Sequence, residues 1–116
     1  MTFLSADILN KTVPHVESCR IDSALIGDVY CDKVVPVTAY CYDEQYGYYV
    51  FEVIRKKTPL GERCYLNRTS VDLLETDTTQ GISRVSCHLE WGTEIVRVNA
   101  PEYHDRDIVV VERSAP

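Results

Sequence analysis

Cys64 stands beside Arg63 in a basic run, and a neighbouring guanidinium favours the thiolate, the form in which cysteine acts as a nucleophile. A cysteine hydrolase also needs a histidine base and an orienting group. The chain has three histidines, His15, His88 and His104, and nothing in their spacing brings any of them to Cys64. A cysteine in a β-rich segment is more simply a small buried hydrophobe. Cys87 and His88 are adjacent, so on a strand they point to opposite faces and cannot share a metal ion. The run Glu102-Tyr103-His104-Asp105-Arg106-Asp107 is the densest cluster of titratable side chains. Its spacing matches no metal-ligand motif, and a charged turn ahead of a strand is the simpler explanation. There is no Gly-rich phosphate loop and no Gly-x-Ser-x-Gly elbow. The sequence assigns no catalytic residue, no metal ligand and no cofactor.

The stronger chemical signal is one of binding. Five of the eight tyrosines (Tyr40, Tyr42, Tyr46, Tyr48 and Tyr49) fall between positions 40 and 49, and Arg55, Lys56, Lys57, Arg63 and Arg68 follow, opposed there only by Glu62. Tyrosine and arginine dominate protein-interface hot spots because they combine rigid area with polar reach. Rings beside cations also make a platform on which nucleic-acid bases stack while the cations meet phosphates. Against both readings stands alternation along a strand, which sends about half of such tyrosines into a core. The candidate surface is Tyr40, Tyr42, Tyr46, Tyr48, Arg55, Lys56, Lys57, Arg63 and Arg68, with the acidic stretch 102–107 as a second patch.

Charge and cysteine usage narrow the partners. With 12 Lys and Arg against 18 Asp and Glu, the 116-residue chain carries a net charge of −6. This disfavours a surface given over to nucleic acid or anionic lipid, whose sequence-independent affinity comes from clustered cations, and it allows an acidic face to meet a basic partner. The five cysteines are an odd number without a Cys-x-x-Cys pair. The amino terminus does not read as a signal peptide, so the expected setting is cytoplasmic, with reduced thiols. No apolar stretch approaches the roughly 18–20 residues of a membrane span.

The elements that must position these residues are mostly strands. Ser5 can cap a short N-terminal helix, with Asp7 in its first turn and Leu4 and Leu9 at the staple positions. Pro14 closes it. Residues 16–32 fit two short strands around Asp22-Ser23 and Gly27-Asp28, with a helical turn as the alternative. VVPVTAYCY and YYVFEVIR flank the turn Asp43–Gly47 and read as a long hairpin, with Tyr49, Phe51 and Val53 on one face of its second strand. Pro36 belongs near a strand start, a bulge or an edge. Pro59-Leu60-Gly61 turns the chain into RCYLN, and a short helix capped by Thr69 or Ser70 is expected to carry Val71, Leu73 and Leu74. Gly92-Thr93 fits a two-residue type II′ turn, which pairs Trp91 with Glu94, Leu89 with Val96, Cys87 with Val98 and Val85 with Ala100. One face of that hairpin is then apolar and the other, with Ser86, His88 and Arg97, polar. Ile108–Val111 reads as a strand covered on both faces.

The expected fold is therefore one mainly β domain spanning 1–116: a small antiparallel β-barrel or sandwich with one or two short helices, in which residues 1–33 either add strands to the barrel or form an N-terminal extension or arm. From residue 34 the order β-β-β-α-β-β resembles that of an OB-type barrel, in element order alone. The expected function is a non-enzymatic protein-protein interaction module, a small acidic inhibitor, immunity-type or accessory subunit on a larger partner. The alternative is an OB-type single-stranded nucleic-acid-binding protein that uses tyrosine stacking and the 55–57 basic cluster. Edge strands leave oligomerisation by sheet extension open.

Overall fold

The computed structural model describes residues 13–112, and these form ten strands and no helix. In chain order they are β1 (His15–Arg20), β2 (Asp22–Ile26), β3 (Val29–Pro36), β4 (Cys41–Asp43), β5 (Gly47–Thr58), β6 (Gly61–Ser70), β7 (Asp72–Asp77), β8 (Ile82–Ser86), β9 (Glu94–Val96) and β10 (Ile108–Glu112). Five of them close a barrel in the ring order β5, β6, β10, β1, β9, with β9 returning to β5 through the pair Glu52 and Ile95. The remaining long strands make a second sheet in the order β2, β3, β8, β7, and the three-residue β4 flanks the barrel on β5. All neighbours are antiparallel except β1 and β10, where His15 lies opposite Val110 and Val16 opposite Val111. The fold is thus mainly β, a small barrel with an added sheet. The expected N-terminal helix at Ser5 and Asp7 lies outside the described residues.

Alternation sets the core. Tyr49, Phe51 and Val53 of β5 point into the barrel beside Val16, Leu66, Val96 and Val109. On the opposite face of β5, Val50 joins Ile95, Ile21, Val35, Val71 and Val85 in a second cluster shared with the outer sheet. β5 is therefore covered on both sides over its middle, which is why its β-branched and aromatic run is nearly continuous. A third, smaller cluster of Ile26, Cys31 and Val34 stabilises the β2–β3 hairpin, where Gly27-Asp28 makes the two-residue turn with φ +61° at Gly27. The strand reading of residues 16–32 holds, and the segment left open as an arm supplies a barrel strand and most of a hairpin.

Several local expectations are overturned. The hairpin around Gly92-Thr93 does not form: β8 pairs with β3 and β7 in the outer sheet, and β9 pairs with β1 and β5 in the barrel. Gly92 instead takes the third position of a turn closed by Thr93 N–H donating to Glu90 C=O, with φ +85°. That turn is clamped to the β1–β2 corner, since Gly92 N–H donates to Ile21 C=O and Ile21 N–H to Thr93 C=O. The expected sidedness holds over Val85–Leu89 but not in the second segment, where Ile95, on the face expected to be polar, is fully buried. Val85 and Leu89 are buried and Cys87 half-buried, whereas Ser86, His88 and Arg97 are exposed. Trp91 and Val98, assigned to the apolar face, are exposed at 62% and 53%.

The helix expected after Thr69 is absent as well. Thr69 and Ser70 end β6, and Val71 is a corner whose N–H donates to Tyr48 C=O before the chain enters β7. A bulge between Leu73 and Glu75 turns Leu74 outward, so the closely spaced apolar residues that suggested a helix arise from an irregular strand. With a strand where the helix was expected, the β-β-β-α-β-β order is not met. The long hairpin of residues 34–55 is likewise redistributed. Its first half breaks after Pro36 in a turn closed by Ala39 N–H donating to Pro36 C=O, and β3 belongs to the outer sheet. Only Cys41–Asp43 pairs with β5, whose long partner is β6 from Tyr49 opposite Ser70 to Thr58 opposite Gly61. In β10, Val109 is buried, but Ile108 and Val110 face outward and are nearly half exposed, so that strand is covered on one face only.

Candidate functional site

The tyrosines collect at one end of β5. Tyr42 lies opposite Tyr48 across the β4–β5 pair, their ring centroids 5.1 Å apart at 65°. Tyr40 also meets Tyr48, at 5.7 Å and 82°, and its hydroxyl is 2.9 Å from that of Ser83 in the outer sheet. Tyr40 is half-buried and acts as backing; Tyr48 is partly open and Tyr42 is 63% exposed. Edge-to-face contacts of this kind hold rings in place at little entropic cost, so the exposed faces are rigid.

Tyr46, in the turn, serves a different group. The Arg68 guanidinium lies 4.5 Å from its ring centroid, 4.9 Å from that of Tyr49 and 5.6 Å from that of Phe51. Arg68 is opposite Phe51 in the β5–β6 register, so its stem enters the barrel end and its charge is stabilised by aromatic faces. Its buried Nε finds no hydrogen-bond partner among the described residues. The acidic stretch docks next to it: Asp105 Oδ1 accepts the Arg68 backbone N–H at 2.8 Å, Leu66 exchanges backbone bonds with Arg106 and Asp107, and Tyr103 packs on the barrel core. His104 is tied within that loop, its N–H donating to Asp107 Oδ2. The second patch thus lies on the barrel side, next to Arg68, whereas Tyr42 and Tyr48 point to the opposite face of β5.

The basic residues lie elsewhere. Lys56 faces Arg63 across the far end of the β5–β6 hairpin, beside Lys57 and the fully exposed Leu60 at its tip. Eight residues of strand separate Tyr48 from Lys56, about 26 Å. Arg55 is committed to the fold. Its Nε and Nη2 donate to the two oxygens of Glu94 and its Nη1 to Glu62, all at 2.8 Å, while Ser18 Oγ donates to Glu94 at 2.6 Å. The Arg55 hydrogen bonds, then that of Ser18, hold the Glu94 carboxyl below the ordinary glutamate range against the opposing effect of burial. Arg55, Glu94 and Ser18 line an open groove of about 570 Å³ together with Cys19, Arg20, Val111 and Glu112. Of the nine predicted binding residues, the structure brings Tyr40, Tyr42, Tyr46, Tyr48 and Arg68 to one end and Arg55, Lys56, Lys57 and Arg63 to the other.

The thiol idea takes a different form. Cys64 points into the barrel and Arg63 away from it, and burial pushes the Cys64 thiol up, outweighing Arg55 at 3.7 Å. Cys41 and Cys19 are raised in the same way, burial being the first cause. Among the described residues no three His, Cys, Asp or Glu side chains gather as metal ligands, and no helix is long and apolar enough to cross a membrane. Sequence reasoning missed the Arg55–Glu94 clamp and the seat of Arg68, because both depend on which strands become neighbours.

Comparison with known families, curated proteins and solved structures finds no match to this chain. Its chemistry must be read from its own residues.

Proposed function

We propose that the protein is a non-enzymatic interaction module, a small acidic inhibitor, immunity-type or accessory subunit that covers a surface of a larger cytoplasmic partner. The observation that carries this reading is the exposed Tyr42–Tyr48 pair, backed by Tyr40, with Tyr46 on Arg68 at the same end of β5 but on its other side. Buried tyrosine anchors with little rotamer freedom to lose are what interface hot spots consist of. A standard partner footprint of about 800 Å² would cover this end without reaching the basic tip. The nucleic-acid alternative is less favoured, because it needs stacking rings and phosphate-binding cations along one track. Here the cations are about 26 Å away along β5 and Arg55 is already paired.

The test is capture of partners from the native host by the wild-type chain, a Tyr42→Ala/Tyr46→Ala variant and a Lys56→Glu variant. The reading expects a specific protein to co-purify with wild type and Lys56→Glu and to be lost from the double tyrosine variant. A partner retained by that variant would overturn the proposed surface. Salt-sensitive binding of oligo(dT), lost from both variants, would favour nucleic acid instead.

A further inference from the structure

Away from the tyrosine end, we infer that the tip of the β5–β6 hairpin docks on an anionic lipid surface, Leu60 entering the acyl boundary and Lys56, Lys57 and Arg63 meeting headgroup phosphates. The two strands pair beyond the reach of a third. β10 meets β6 at Tyr65 and Cys64, and the pairs Lys56–Arg63, Lys57–Glu62 and Thr58–Gly61 continue past it as a two-stranded ribbon. Its apex is fixed, since the Thr58 hydroxyl donates to Gly61 C=O at 2.7 Å and accepts the Leu60 N–H at 3.3 Å. Leu60 is held outward there, 93% exposed. Cross-strand partners share a face and successive pairs alternate, so Lys56 and Arg63 flank one side of the ribbon and Lys57 the other. Among the described residues no carboxylate forms an ion pair with any of the three, and the neighbouring Glu62 is bonded to Arg55.

This arrangement selects the partner. Leu60 stands on a convex apex, so it leaves water only in a medium that closes around it. Cations on both sides of the ribbon need negative charge on both sides. A headgroup layer over an acyl core supplies the two together. A duplex groove also flanks a ribbon with phosphates, but it offers polar base edges to the apex. Two residues of strand, about 7 Å, separate Thr58 from Lys56, and interfacial segments sink about 5–10 Å into the headgroup boundary. The depth that buries Leu60 thus sets the cations among the phosphates. The net charge of −6 opposes broad contact with an anionic bilayer but allows a tip-first one, because charge is screened beyond about 8 Å.

The test is co-sedimentation of the full chain with vesicles of phosphatidylcholine alone or with about 30% phosphatidylserine. Binding is expected to the anionic vesicles only, and to fall as salt is raised from about 0.05 to about 0.5 M. Lys56→Gln/Lys57→Gln is expected to weaken it about 25-fold, at about fivefold for each cation. Leu60→Ser keeps every charge and is expected to weaken it about tenfold. All three positions are exposed, and far-UV circular dichroism checks that the variants remain folded. Leu60→Trp supplies a second readout, an emission shifted to the blue on anionic vesicles beyond any change in Trp91 of wild type. No binding to anionic vesicles overturns the proposal, and so does binding unchanged by Leu60→Ser with no shift from Leu60→Trp. Salt-sensitive binding of a duplex oligonucleotide in place of vesicles, lost from Lys56→Gln/Lys57→Gln, also overturns it and assigns the tip to nucleic acid. Partner capture through Tyr42 and Tyr46 is independent of each of these results.

Discussion

Arg55 on β5 holds Glu94 on β9 by two parallel hydrogen bonds, Nε to Oε1 and Nη2 to Oε2, each 2.8 Å. This matters because the backbone joint between the two strands is slight: Glu52 opposite Ile95 is their one registered pair among the described residues. Side chains therefore do much of the work of closing the ring. Glu94 is 14% exposed and Arg55 42%, so the pair stands between the exposed bridges that contribute little and the buried ones whose disruption costs several kcal/mol.

Replacing Arg55 with alanine should cost about 1.5–3 kcal/mol, the range for hydrogen bonds to charged groups. Arg55→Lys should recover only part of it, since an ammonium cannot match both oxygens at once. Urea unfolding measures both. A loss no larger than that of the exposed Lys56→Ala would mean that the clamp contributes nothing to closure.

The clamp also gives stability a pH dependence of known sign. The Glu94 carboxyl titrates below its ordinary value of 4.5 in the folded protein, so its contribution is complete above that value and is lost as pH falls through the lower, folded one. Thermal midpoints measured from about pH 6 down to about pH 3 should decline for wild type and decline less steeply for Glu94→Gln. Parallel slopes for the two proteins would contradict the assignment.

Leu66 and Leu74 separate core from surface within a few residues. Leu66 is fully buried in the barrel, and Leu66→Ala is expected to cost about 2–5 kcal/mol. Leu74 points out at the β7 bulge, and Leu74→Ala should stay within about 0.5 kcal/mol. Were residues 69–74 a helix packed through Leu73 and Leu74, the second change would be costly too.

What the sequence could show was sidedness. Tyr49, Phe51 and Val53 against Val50 and Glu52 were legible as the two faces of a strand, and Val85, Cys87 and Leu89 as the inward side of β8 and the chain that follows it. Alternation of period two reports which side of a ribbon is dry, but says nothing of which ribbon lies next to it. The segment with Val85 had the correct faces, the segment with Val96 did not (Ile95 is buried and Val98 exposed), and the two were wrongly assigned to each other. In the structure one belongs to the outer sheet and the other to the barrel. Local turn chemistry was reliable only where nothing else held the turn: Gly27-Asp28 joins β2 to β3, whereas Gly92 is claimed by Ile21, far away in sequence.

The candidate site divides along the same line. That tyrosines cluster at residues 40–49 follows from the order of letters, and so does the basic run after them. That the two groups occupy opposite ends follows from the length of β5. That Arg55 is spent on Glu94, 39 positions on, follows from barrel closure. No local pattern announces a partner at that distance.

The parallel seam between β1 and β10 has a consequence for how the chain is made. His15 leaves the ribosome long before its partner Val110 is synthesised, an interval of roughly 5–20 s at ordinary elongation rates. Throughout that time one flank of β1 is an unsatisfied template, and the apolar interior behind it is open to water or to other nascent chains. Slow refolding and a need for chaperone shelter during translation are the expected signature of a wall whose last stave arrives at the end.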